Sequence, residues 1–187
     1  MLKAFSNQLK RLANDPTDRF HYHVLNRLGK KATADLEEHL KQFVLLMPTL
    51  VSRIYSLWKR MRPTSKVKEI GSFFLAYLYH PQDFLPEDEH NGLFGYLDDA
   101  YLTALVYELV LEELTHSEVQ LLRVDEELLK KVIGLKRKAA AVIPEEAANI
   151  QYMVGEILEG EDETFSRLFQ KDKLLLAEGD SNNAYCP

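Results

Sequence analysis

The chain has 187 residues, 46% of them hydrophobic and 28% charged, with a net charge of -6. That is enough to bury one core without disulfides, and the single cysteine, Cys186, excludes an internal disulfide and a cysteine-built zinc site. The strongly apolar runs near 70–79 and 100–107 are shorter than the roughly 18 residues a membrane span requires, and Lys3, Gln8, Lys10 and Arg11 break up any secretion signal at the start. A cytoplasmic protein is expected.

Apolar residues recur at helical rather than alternating spacing throughout, which predicts an all-α fold: a single compact bundle of about seven or eight helices. Leu2, Phe5, Leu9 and Leu12 make one face of an opening helix, stopped by Asp15-Pro16. A second helix is expected from Thr17 to Leu28, closed by Gly29. Residues 1–31 carry seven basic side chains against only Asp15 and Asp18, about +5 in net charge, which leaves about -11 for the rest. This basic amphipathic segment offers a weak contact for an anionic membrane surface. Lysines and arginines are not interleaved with aromatics in a reading motif, so nucleic acid is not an expected partner.

Residues 32–177 form the expected core, and 178–187 a polar tail without apolar periodicity. Asp35 with Glu38 has the spacing of a capping box and opens a long helix that reaches Arg62. Pro48 should kink or split it, because proline lacks an amide donor and clashes with the preceding turn. A helix over 65–79 follows, stopped by Pro81. After an acidic loop another is expected over 95–114, apolar almost all the way round and therefore central. Ser117 and Gln120 suggest a further cap ahead of a helix over 125–140. Pro144 with Glu145 and Glu146 suits a helix start, Gly160 a stop, and 162–175 a last helix.

The most informative stretch is the helical hairpin over 66–114, with Asp83 after its first helix and Asp98 and Asp99 at the head of its second. At about 100° per residue, Asp98 falls between Leu105 and Leu109, and Asp99 between Val106 and Val110, so both carboxylates lie on apolar stripes and need partners. Three readings follow. The aspartates cap helix and loop amides and hold the hairpin together. Alternatively, Asp83, Asp98 and Asp99, with His80 adding a nitrogen, bind Mg²⁺, Mn²⁺ or Ca²⁺, although the spacing matches no calcium loop. A third makes the paired carboxylates acid and base, but no nucleophile or phosphate loop accompanies them. His21 and His23, two apart on a helix, do not chelate together.

The string over 79–102 resembles the signature of the YkvA-like family of uncharacterised bacterial proteins. There a P-x-D-x-x-P pattern, here Pro81, Asp83 and Pro86, precedes a G-x-x-D-D pattern, here Gly95, Asp98 and Asp99. The resemblance implies a helical hairpin and brings no established activity. The residues point most directly to a non-catalytic interaction or regulatory module with a protein partner. A divalent-metal-dependent, hydrolase-like enzyme and a peripheral membrane protein are the alternatives.

Overall fold

The computed structural model describes residues 2–60, 64–79, 84–86, 88, 90–116 and 123–160. Among them are seven α-helices and no strand: α1 (Leu2–Ala13), α2 (Phe20–Leu28), α3 (Ala34–Arg60), α4 (Ser65–Leu78), α5 (Leu97–His116), α6 (Arg123–Val142) and α7 (Pro144–Glu159). Short 3-10 turns cover Gly29–Lys31 and Gly92–Tyr96. The expected last helix over 162–175, the tail with Cys186, and the Ser117–Gln120 cap lie outside the described residues. None of the described helices is long and apolar enough to cross a membrane.

Helix α5 is the axis of the bundle. Its apolar residues face every direction, so it needs neighbours on all sides, and it packs against α3, α4, α6 and α7. The hairpin partner α4 lies beside it as expected, yet its broadest interface is with α3. Phe43, Met47, Leu50 and Ile54 of α3 and Leu102, Val106 and Val110 of α5 are all buried in the shared core. The opening helix α1 turns Leu9 into this core and sets Phe5 against the ring of Tyr96, with centroids 6.1 Å apart.

Several boundaries differ from expectation for local reasons. Helix α2 starts at Phe20 rather than Thr17, because Asp15 closes a side-chain turn by accepting from the Thr17 amide (2.8 Å) and hydroxyl (2.6 Å). Thr33, not Asp35, caps α3: its hydroxyl accepts from the Leu36 amide at 3.1 Å, while Asp35 sits inside the first turn beside His39. Pro48 does not split α3, which runs unbroken from Ala34 to Arg60. The bond lost at proline is outweighed by burial of Met47, Pro48 and Leu50 in the core. The helix expected from Gly95 begins at Leu97, after the 3-10 turn that Gly92 enters with φ +53°. Pro144 opens α7, and Gly160 closes it in the left-handed region, as the sequence suggests.

The indole of Trp58 in α3 lies against Gly71 of α4. A Cβ there would come within 2.6 Å of the ring, whereas a Cβ on Gly155 of α7 would touch nothing within 4 Å. Two glycines in helix interiors therefore have opposite expected responses. Gly71→Val destabilises by about 1–3 kcal/mol through overpacking, and Gly155→Ala stabilises by up to about 1 kcal/mol through helix propensity. Thermal unfolding of the two variants checks this, and a stabilised Gly71→Val protein would contradict the packing.

Candidate functional site

The acidic residues at the head of α5 are positioned by the chain's own pattern. Asp98 and Asp99 occupy the first turn, where the helix dipole favours negative charge. Both side chains are buried, Asp98 fully and Asp99 to 1% exposure. The wheel argument thus places them correctly. Asp98 is held from three directions. Its Oδ2 accepts from the Tyr77 hydroxyl at the end of α4 (2.7 Å) and from the Leu85 amide in the loop (3.2 Å). Its Oδ1 accepts from the Asp99 amide at 2.9 Å. One carboxylate therefore ties together the end of α4, the connecting loop and the start of α5.

Burial pushes the Asp98 carboxyl up to about 7, against the Tyr77, Asp99 and Leu85 donors that favour the charged form. Desolvation wins because the side chain is fully buried at the head of α5. Of the other predicted site residues, Gly95 is buried in the 3-10 turn, and the Pro86 carbonyl accepts from Asn91 Nδ2 at 2.9 Å. His80, Pro81 and Asp83 lie outside the described residues. Among the described residues, no three His, Cys, Asp or Glu side chains are grouped to hold a metal ion.

A second acidic site, not anticipated from the sequence, lies beside the tip. A cleft of about 420 Å³ opens between the end of α1, the turn after it and the segment leading into α5. Asp15, Asp18 and Asp88 line it, with Tyr96, Gln8 and Arg19. Hydrogen bonds from Thr17 hold the Asp15 carboxyl below the ordinary carboxylate range. Burial pushes Asp18 up, although it accepts from the Leu93 amide at 3.3 Å. Gly92 is required here twice over: its φ is +53°, and a Cβ would fall 2.5 Å from Asp18 Oδ1. Asp88 accepts from the amides of His90 (2.9 Å) and Asn91 (2.8 Å), an Asx turn that shapes the rim. The available sequence signal was modest. Asp15 and Asp18 are the two acids in an otherwise basic opening segment.

The histidines behave as their spacing implies. His21 faces Glu37 at 2.8 Å, while His23 Nε2 lies 3.0 Å from the His90 carbonyl and its ring stacks on Phe94. A third polar cluster joins three helices in the core. Arg53 of α3 donates through Nε (3.0 Å) and Nη2 (2.5 Å) to Oδ1 of Asp125 in α6, which also accepts from the Tyr107 hydroxyl of α5 at 3.1 Å. Burial and the Asp125 charge push the Tyr107 hydroxyl up, and the hydrogen bond with Asp125 does the same for Arg53. Asp125 read as a helix start, and its role as a counterion was not visible from periodicity. No protein-family model, curated protein or solved structure matches the chain.

Proposed function

We propose that the protein is a non-catalytic interaction module of the cytoplasm. In this reading its buried carboxylates hold the scaffold, and its acidic cleft receives a basic segment of a protein partner. The observation that supports it is the engagement of Asp98 by Tyr77, Leu85 and Asp99. The group most suggestive of chemistry in the sequence is occupied in joining two helices and a loop. The carboxylates that meet solvent, Asp15 and Asp88, stand instead at the rim of a cleft sized for side chains of a partner. Three aspartates against one arginine in the cleft lining favour a cationic peptide through its association rate and specificity. Membership of the YkvA-like family belongs to the same proposal, on the spacing of Pro81, Asp83, Pro86, Gly95, Asp98 and Asp99 in the sequence.

Fluorescence anisotropy with a lysine- and arginine-rich peptide tests the reading. Binding should weaken with added salt and fall in an Asp15→Asn/Asp88→Asn variant whose helical circular dichroism is unchanged. Binding indifferent to both substitutions would remove the cleft from the account.

One observation favours the metal-dependent alternative. Two neighbouring carboxylates are buried at a helix head, desolvation raises the pKa of one of them, and a divalent cation would relieve that cost. Calorimetric titration with Mg²⁺, Mn²⁺ and Ca²⁺ separates the two readings. Under the scaffold reading there is no binding up to millimolar ion, whereas binding abolished by Asp98→Asn would favour the enzyme with Asp83, Asp98 and Asp99 as ligands.

A further inference from the structure

We draw no further inference here: the strongest candidate, the outward face of α2 where Tyr22 and Leu25 are exposed, with Lys30 and Lys31 exposed in the turn that follows, carries nothing because nothing in the structure shows what covers it.

Discussion

Arg53→Met is expected to lower the free energy of unfolding by about 3–5 kcal/mol, the range for removing one partner of a buried ion pair. Methionine keeps an unbranched stem on α3 but withdraws both guanidinium donors from Asp125. Asp125 is 1% exposed, so its charge stays in the core with the Tyr107 hydroxyl beside it. The converse change costs less. Asp125→Asn leaves Arg53, whose side chain is 28% exposed, able to turn toward water, and the expected loss is about 1–2 kcal/mol. Urea denaturation of the two variants measures the asymmetry. Equal losses, or a larger loss for Asp125→Asn, would contradict the reading of Arg53 as the counterion that makes the buried carboxylate tolerable. A double variant, Arg53→Met/Asp125→Leu, should recover part of the loss because neither charge is left behind.

At the hairpin tip the expected result depends on pH. Asp98→Ala removes the acceptor shared by Tyr77, Leu85 and Asp99 and should cost about 2–4 kcal/mol at pH 5. Asp98→Asn keeps one carbonyl oxygen and carries no charge, so its cost should be smaller. The sign of its pH dependence follows from the direction of the shift. The folded protein holds the Asp98 proton up to about pH 7, whereas the ordinary value is 3.8. This group's contribution to stability is therefore full below about pH 4 and is lost as pH rises through 7. Asparagine has no proton to lose. Between those values the stability of Asp98→Asn relative to wild type should rise by up to about 1.4 kcal/mol per pH unit. Denaturation curves at pH 5, 6 and 7 decide it, and a flat difference would mean that Asp98 does not titrate in this window.

The parts of the structure legible in the sequence are those set by local spacing. Apolar residues at helical intervals locate all seven described helices, and Gly160, Pro144 and Gly29 mark ends that the backbone respects. Burial of Asp98 and Asp99 also follows from their position on the α5 stripes. What was not legible depends on pairings across the chain. Asp18 meets Leu93 across 75 positions, and Arg53 meets Asp125 across 72. No periodicity carries that information, because each residue looks like an ordinary turn or surface group in its own neighbourhood. Pro48 shows the same limit in reverse. Its local rule allows a kink or a split, and the helix is not split there, with Met47, Pro48 and Leu50 buried in the core. At the cap of α3, Asp35 and Glu38 have the spacing of a capping box, while the chain uses Thr33 two residues earlier.

The buried polar groups of this bundle share one logic. Asp98 joins α4, a loop and α5, and Asp125 joins α3, α5 and α6. Gln151 of α7 adds a third tie by donating to the Tyr101 hydroxyl of α5 at 2.6 Å. Each tie involves the central helix, whose nearly uniform apolar surface gives its neighbours little to fix their register. Polar contacts of this kind supply specificity where hydrophobic burial alone does not.

The most direct test of the account is a carbon-detected titration of the Asp98 carboxyl by nuclear magnetic resonance, run with and without millimolar Mg²⁺. A group committed to holding the hairpin titrates close to pH 7, and its midpoint does not move when the ion is added. A midpoint driven down by Mg²⁺ would show that the ion reaches this carboxylate and that it belongs to a binding site instead.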